Sequence, residues 1–362
     1  MTTVLAARGV CPPGPPAPGW VAIDDGVVVE VGIGAARPGP GVVDLGDALL
    51  APGFLDLQVN GIGDVEFATA GTDDWARAEH ALVQAGTTGY CPTFVSAPLD
   101  SYEPTLARAR VAREHTDAIL GVHLEGPFLG NAPGAHPREL LCPVDLGWLE
   151  HTLSTHADVI TLVTLAPEAD PGCAAIKLLS DGGVVVALGH STASYEEARA
   201  AVDAGATVVT HLFNGMGPLH HRKPGLAGAA LTDERLTPTL IADLVHVHPV
   251  ALQLAIGAKR SVALVTDAVA IGDGSFTQRD GAARLPDGTL AGSTLTLDRA
   301  IANVAALGLP VERAIEMATT IPAEVLGLRD RGRLAPGTRA DLVALDPASL
   351  AVQAVWLAGE RT

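Results

Sequence analysis

The chain has 362 residues, of which 48% are hydrophobic and 18% are charged. This is a globular balance, and the length allows one large α/β domain or two smaller ones. A net charge of −18 argues against nonspecific binding to nucleic acid, because phosphate contacts need a positive surface. No apolar run approaches the roughly twenty residues of a membrane span, and the amino terminus lacks a secretory signal, so we expect a cytoplasmic protein without a membrane partner.

The first fifty residues and the last thirty-five predict short strands. Residues 20–31 alternate about Asp25-Gly26, which is a hairpin signal, and residues 340–346 and 352–359 also indicate strands. Neither segment is large enough to fold alone. We therefore predict one small β-sandwich domain built from residues 1–51 and 328–362.

From Pro52 onward, strand and helix patterns alternate. The eight predicted strands are 54–59, 88–94, 119–124, 159–165, 184–188, 207–212, 239–242 and 262–266. Eight parallel strands in about 215 residues fit a (β/α)8 TIM-like barrel over residues 52–327, with a doubly wound open sheet as the alternative. A hairpin near Leu285 and two helices, over 296–307 and 310–326, follow the eighth strand.

Residues 184–214 predict a βαβ unit. Two apolar runs end at His190 and His211, and the helix between them begins at Ser194, which forms a capping box with Glu197, and stops at Gly205. The two strands of such a unit are parallel. Both histidines therefore lie at carboxyl strand ends on the same side of the sheet, where α/β proteins place their active sites.

Other polar residues also occupy strand ends. Glu125 ends the third strand and Asp267 follows the eighth, so Glu125, His190 and His211 provide the ligand types of a divalent-metal site. A single strand-end histidine is more often a structural residue, and Asp267 is alternatively a helix N-cap; the coincidence of all four favours catalysis. Asp267 is then the acid and base. We expect His123 to support a ligand rather than to be one.

Seven motifs together resemble one family. They are PGFLDLQVNG (52–61), HLEGPF (123–128), LAPE (165–168), GHS (189–191), THLFNGM (210–216), KPGLAG (223–228) and LVTDA (264–268). In this order, over nearly the whole chain, they resemble the N-acetylglucosamine-6-phosphate deacetylases of the amidohydrolase superfamily. HLEGP and THLFN are more specific than any general metal motif.

The resemblance implies roles for individual residues. Glu125, His190 and His211 would bind the metal, Asp267 would be the catalytic acid and base, and His136 would polarise the acetamide carbonyl. Read alone, His136 lies in a Gly/Pro-rich segment typical of a surface loop. Contacts with the sugar phosphate would come from Asn214, Gly215, Arg222, His246, Leu290, Gly292 and Ser293. The guanidinium group of Arg222 matches the geometry of a phosphate. Without the resemblance, Arg222 would be interpreted as a solvated charge in a loop.

One position departs from the wider superfamily. Gln58 and Asn60 stand where most two-metal members carry His-x-His, and neutral amides are poor ligands for transition metals. We therefore expect one divalent metal ion per subunit: zinc first, with iron, manganese or cobalt as alternatives. The resemblance also implies a homodimer or higher homo-oligomer, in which a neighbouring subunit can reach the phosphate.

The expected reaction is hydrolysis of the acetamide of N-acetyl-D-glucosamine 6-phosphate to D-glucosamine 6-phosphate and acetate. Two alternatives remain open. The nearer one is a related amidohydrolase, either an N-acetylgalactosamine-6-phosphate deacetylase or a cyclic-amide hydrolase, because a barrel does not fix its substrate. The more distant one is a non-catalytic barrel scaffold, which would be expected to lack some of the ligands.

Overall fold

Helices and strands alternate through most of the chain. The computed structural model describes residues 2–11, 14–34, 41–272, 276–279 and 281–362. Its α-helices are Thr72–Gln84, Tyr102–Arg113, Leu146–His156, Ala174–Asp181, Tyr195–Asp203, Gly225–Thr232, Pro249–Ala258, Leu297–Ala306, Val311–Glu316 and Thr320–Val325. Short 3-10 helices occur at Leu99–Ser101, Arg138–Leu140 and Pro167–Ala169. None of the helices in these described ranges is both long and apolar enough to cross a membrane.

Eight strands form one parallel sheet in which neighbours in the chain are neighbours in space. They are Phe54–Val59, Thr87–Val95, Val122–Glu125, Ile160–Leu165, Val185–Leu188, Ala206–Val209, Thr237–Ile241 and Ala263–Val265. The last strand returns to the first: Asp267 N–H donates to Gln58 O at 2.9 Å, and Asn60 N–H donates to Ala268 O at 2.8 Å. The sheet is therefore a nearly closed barrel, which confirms the predicted TIM-like fold over the doubly wound alternative.

A second sheet contains strands from both ends of the chain. Its members are Thr3–Val10, Ala17–Asp24, Val27–Ile33, Val42–Asp44, Leu49–Pro52, Leu342–Leu345, Val352–Leu357 and Glu360–Arg361. Leu49–Pro52 joins the two ends, because it pairs parallel to Thr3–Val10 and antiparallel to Leu342–Leu345. The prediction that strands from both termini combine in one β structure is confirmed, and that structure is a mixed sheet.

The chain divides into two units, residues 1–56, 79–89 and 296–362 in one and residues 57–78 and 90–295 in the other. All of the side chains discussed below as functional belong to the second unit. That unit also contains two small antiparallel sheets, Gly61–Ile62 with Val65–Glu66, and Thr277–Arg279 with Ala282–Arg284 and Leu290–Ser293. The domain limits given above, 1–51 with 328–362 and 52–327, stay a prediction.

Local sequence signals explain several element ends. Ser194 Oγ accepts the Glu197 N–H at 3.1 Å while Glu197 Oε2 accepts the Ser194 N–H at 2.7 Å, which is the predicted capping box. Asp25 and Gly26 both adopt positive φ, 49° and 74°, as a two-residue hairpin turn requires. These short motifs fix where the elements begin and turn.

One predicted helix is divided in two. The sequence predicts a continuous helix over 310–326, whereas the structure has Val311–Glu316 and Thr320–Val325. Pro322 has no N–H to donate to Ala318 O, and in a continuous helix its ring would clash with that carbonyl. Thr319 lies at the break with φ −134° and ψ −80°. The prediction of one continuous helix over 310–326 was therefore wrong.

Candidate active site

Three ligand-type side chains from separate strands converge at the carboxyl end of the barrel. His190 Nε2 and His211 Nε2 lie 3.0 and 2.9 Å from Glu125 Oε1, and 3.1 Å from each other. All three residues are at most 5% exposed. The structure thus brings together Glu125, His190 and His211, as the strand-end pattern predicts.

The backbone at this end of the barrel is unusual. His190, His211 and Asp267 all adopt the left-handed region, with φ of 48°, 30° and 48°. This conformation costs an L-residue about 1–2 kcal/mol, and strained backbone concentrates at functional sites. Each of these residues is separated by one residue from the end of an apolar strand, so the chain turns sharply where its polar side chain is placed. Histidine and aspartate are among the non-glycine residues that adopt this region most often.

The charges of the cluster favour a cation. Burial alone would raise the pKa of Glu125, but the hydrogen bonds from His190 and His211 hold it well below its usual value. Burial opposes a charge on His211, yet the hydrogen bond to Glu125 together with the charges of Glu125 and Asp267 outweighs it and raises the pKa of His211. A buried carboxylate beside two imidazole nitrogens therefore attracts positive charge, which fits the donor set of a divalent metal. The buried Glu/His/His cluster is of the kind that amidohydrolases use to bind metal.

The ring of His190 is held in the orientation a ligand needs. Its Nδ1 lies 3.2 Å from Ala132 O. Because a carbonyl oxygen only accepts, Nδ1 donates to it, and this contact fixes the ring with Nε2 facing Glu125, where the Nε2 lone pair of the neutral ring could bind a metal. His211 differs, since its buried Nδ1 has no hydrogen-bond partner among the described residues.

His136 approaches the same carboxylate from the loop after the third strand. Its Nε2 is 3.9 Å from Glu125 Oε2, and Glu125, His136 and His190 also form a group with ligand atoms within 4.8 Å of one another. However, Ser96 N–H donates to His136 Nδ1 at 3.4 Å, and Ser96 Oγ lies 2.9 Å from the same nitrogen. The proton of the neutral ring is therefore on Nε2, which makes that atom a donor and favours His211 as the third ligand.

Burial lowers the pKa of His136 to about 3, with the charge of His190 acting in the same direction. The ring is thus neutral at physiological pH and keeps a single proton on Nε2. The residue that fixes this proton, Ser96, was not found from the sequence. It lies in none of the seven motifs and 40 positions from His136 along the chain, although it directly follows the second barrel strand, Thr87–Val95.

Asp267 is held on one oxygen only. Asn60 Nδ2 and Gln58 Nε2 donate to its Oδ1 at 2.8 and 3.1 Å, and no hydrogen bond between described residues occupies Oδ2. Burial, followed by the charge of Glu125, raises the pKa of Asp267 to about 6. Asn60 Oδ1 is buried and has no hydrogen-bond partner among the described residues. The two amides that replace the superfamily's histidines therefore orient this carboxylate.

His123 lies behind the site. Its Nε2 is 2.7 Å from Thr164 Oγ1, its Nδ1 is 3.3 Å from Thr93 Oγ1, and it is 1% exposed. Thr164 Oγ1 continues the network to Thr210 Oγ1 at 2.7 Å. Burial lowers the pKa of His123 to about 4, so it is a neutral member of a buried hydroxyl network.

A cavity of about 780 Å³ opens over this cluster. Its walls include the ligand cluster with His136 and Asp267, and five of the predicted substrate contacts: Asn214, Gly215, His246, Leu290 and Gly292. His246 Nδ1 lies 2.7 Å from the buried Asp243 Oδ2. The volume is in the range of small-molecule sites.

Two predicted substrate contacts are not among the described residues that line the cavity. Ser293 is fully buried and its hydroxyl donates to Thr266 O at 2.6 Å. Arg222 is exposed and lies 2.7 Å from His221 Nε2. Arg284, which the sequence did not suggest, is instead the one arginine or lysine of the described residues in the cavity wall.

Comparison with known proteins agrees with this geometry. Residues 49–361 match the model of the Amidohydrolase family. An N-acetylgalactosamine-6-phosphate deacetylase of Escherichia coli O157:H7 is 38% identical over 99% of both chains. An N-acetylglucosamine-6-phosphate deacetylase of Bos taurus is 39% identical, covering 88% of this chain and 84% of the relative.

Solved structures give the same result. An N-acetyl-D-glucosamine-6-phosphate deacetylase variant from Mycobacterium smegmatis, in complex with N-acetyl-D-glucosamine-6-phosphate, superposes with a TM-score of 0.94. It is 38% identical, and the match covers 100% of this chain and 99% of that one. The chain belongs to the amidohydrolase family. Within that family it falls among the N-acetylglucosamine-6-phosphate deacetylases, as the seven motifs indicated.

Proposed function

We propose that the protein hydrolyses the acetamide of N-acetyl-D-glucosamine 6-phosphate to acetate and D-glucosamine 6-phosphate. The observation that carries this proposal is the cavity that unites Glu125, His190 and His211 with the half-restrained carboxylate of Asp267 and the N–H donor of His136. Acyl transfer needs a base, an oxyanion donor and a site for the reacting carbonyl between them. Residues able to supply all of these functions line the same cavity.

Glu125, His190 and His211 would hold one divalent metal ion, for which zinc is our first choice. When bound there, such an ion lowers the pKa of water and polarises a carbonyl oxygen. Iron, manganese and cobalt suit the same ligand types. The count of one is supported by Gln58 and Asn60, whose amide groups donate to Asp267 and are poor ligands for a transition metal.

The chain's own groups then move the protons. Asp267 takes a proton from the attacking water through Oδ2, because Oδ1 already accepts two hydrogen bonds. His136 Nε2–H donates to the carbonyl oxygen as negative charge develops on it. A C–O bond forms, the C–N bond breaks, and Asp267 returns the proton to the departing amine.

Substrate recognition would use the remaining residues of the cavity wall. We assign sugar contacts to Asn214, Gly215, Leu290 and Gly292, with Ser293 supporting the strand that carries them. His246 and Arg284 are the polar groups of the wall suited to the phosphate. Because a charged sugar phosphate does not cross a membrane unaided, we place the reaction in the cytoplasm.

Arg222 would reach the phosphate from a second copy of the chain. Its exposed position outside the cavity, next to Leu219, which is 52% exposed, supports a homodimer in which each copy completes the other's site. Mixing subunits tests this. Arg222→Ala and Asp267→Asn proteins, each impaired alone, should together recover about a quarter of wild-type kcat/KM, because half the dimers are mixed and each has one intact site. No recovery from reassorted subunits would place Arg222 in its own copy's site.

The galacto-epimer is the second candidate substrate, because the Escherichia coli relative that covers 99% of both chains is an N-acetylgalactosamine-6-phosphate deacetylase. Acetate release from the two sugar phosphates, measured side by side, separates them. We expect a higher kcat/KM for the gluco-epimer. A higher value for the galacto-epimer would reassign the substrate, and release from neither, together with turnover of a cyclic amide, would end the deacetylase proposal.

A further inference from the structure

The motif at 165–168 has no role in the site described so far, although its glutamate makes strong contacts. Glu168 lies in the 3-10 turn Pro167–Ala169, which follows the fourth barrel strand. It is half-buried and not among the described residues that line the cavity. Its Oε2 accepts from Ser191 Oγ at 2.5 Å, and its Oε1 accepts from Thr192 N–H at 2.6 Å. Oε1 also lies 3.4 Å from Asn131 N.

The first two partners belong to the segment that carries His190. Ser191 is fully buried and follows His190 directly in the chain. The left-handed φ of 48° at His190 is a conformation that the surrounding structure must enforce. Because Glu168 binds the side chain of the next residue and the N–H of the one after it, this carboxylate restrains the turn immediately after the ligand.

The third partner belongs to the loop that carries His136. In that loop, Gly130 N–H donates to His190 O at 2.9 Å, and Ala132 O accepts from His190 Nδ1 at 3.2 Å. A Cβ atom on Gly130 would overlap Glu168 Oε1, so glycine is needed for this close approach. The same carboxylate therefore touches both loops that meet around the imidazole of His190.

We propose that Glu168 is a positioning residue that fastens the loop of residues 130–136 to residues 190–192, so that His190 presents Nε2 to Glu125. An ionised carboxylate suits this role because all of its partners are donors, and it accepts from each of them without offering a donor of its own. A glutamine would place an NH2 group against one of these donors. The proposal rests on the proposed function only for its activity measurement.

The test variant is Glu168→Gln, which keeps the shape and removes one acceptor. Its matched control is Glu197→Gln, the same substitution in the capping box of the helix Tyr195–Asp203. In the metal-free proteins, we expect backbone amides at 130–134 and 190–192 to exchange with deuterium about tenfold faster in Glu168→Gln alone. The control should loosen only the start of its helix. Unchanged exchange in either loop would overturn the proposal.

Zinc affinity provides a second readout, measured by competition with a chromogenic chelator. Loss of a partner that orients a metal-binding histidine typically weakens metal affinity by about 10- to 100-fold, which we expect for Glu168→Gln and not for the control. With zinc restored, kcat should fall while KM for the sugar phosphate stays within about twofold, because Glu168 does not line the cavity. Affinity equal to wild type, or equally weak in both variants, would contradict the role.

If Glu168→Gln does not fold, Ser191→Ala removes only the 2.5 Å contact and should shift exchange and zinc affinity in the same direction by less. A folded Ser191→Ala protein with wild-type values of both would also refute the role. Exchange and zinc binding require no substrate. A wild-type protein that binds zinc but releases no acetate would therefore end the proposed function and leave the role of Glu168 to be decided by these two measurements.

Discussion

Replacing Asn60 by leucine should move the pH dependence of catalysis. Asn60 Nδ2 donates to Asp267 Oδ1 at 2.8 Å, and this hydrogen bond lowers the pKa of Asp267. Leucine has the same number of side-chain heavy atoms, and Asn60 Oδ1 has no hydrogen-bond partner to lose in the part of the chain that the structure describes. The substitution therefore removes one donor from the carboxylate and leaves the packing nearly unchanged.

The expected size follows from the strength of that bond. A hydrogen bond to a charged group contributes about 1.5–3 kcal/mol, and a change of one pKa unit corresponds to about 1.36 kcal/mol. Gln58 still donates to the same oxygen at 3.1 Å, so we expect the lost hydrogen bond to contribute an energy at the lower end of that range. Asp267 acts as a base only when it is ionised. If its pKa is raised, acidification therefore abolishes activity at a higher pH than in the wild type. The acid limb of the kcat/KM profile should move upward by about one pH unit.

The assay is acetate release from N-acetylglucosamine 6-phosphate between about pH 5 and 9, compared between Asn60→Leu and wild type. The phosphate of the substrate also titrates near 6, but it does so equally for both proteins. Thr69→Val is the control, because it removes a hydroxyl of the cavity wall that donates to Glu66 O rather than to Asp267. An unmoved acid limb in a folded Asn60→Leu protein with a normal alkaline plateau would refute the account of Asp267.

Two further substitutions test other contacts. Ser96→Ala removes the hydroxyl 2.9 Å from His136 Nδ1 and should lower kcat about tenfold with little change in KM, since it disturbs only the orientation of a donor; a KM effect alone would contradict this. Arg222→Ala should raise KM for the phosphorylated sugar about tenfold or more, and far more than for N-acetylglucosamine. Equal effects on both sugars would remove Arg222 from the phosphate site, and Arg284→Ala in the same comparison tests the arginine of the cavity wall.

Much of the barrel is predictable because buried parallel strands appear in the sequence as short apolar runs bounded by turn residues. All eight predicted strands are present, and the capping box at Ser194 sets the helix between His190 and His211. Strand order was the open point, because pairing between distant segments leaves no local signal. The contacts of Asp267 and Ala268 with the first strand settle it.

The site was predictable where chemistry coincides with a strand end, and not where it depends on the tertiary fold. Glu125 and the two histidines could be found because each follows an apolar run. The role of Gln58 and Asn60 could not, since the sequence shows only that two metal ligands are missing and the structure shows two donors on one oxygen. Ser96 is likewise joined to His136 only by folding.

The most direct test of the central claim measures both metal content and acetate release in the wild type and in Asp267→Asn. The account predicts about one divalent metal per chain in both proteins, because Asp267 is not one of the three ligands. It predicts acetate from N-acetylglucosamine 6-phosphate in the wild type and loss of nearly all turnover in the variant. Unimpaired release by metal-loaded Asp267→Asn, or no release by the metal-loaded wild type, would contradict it.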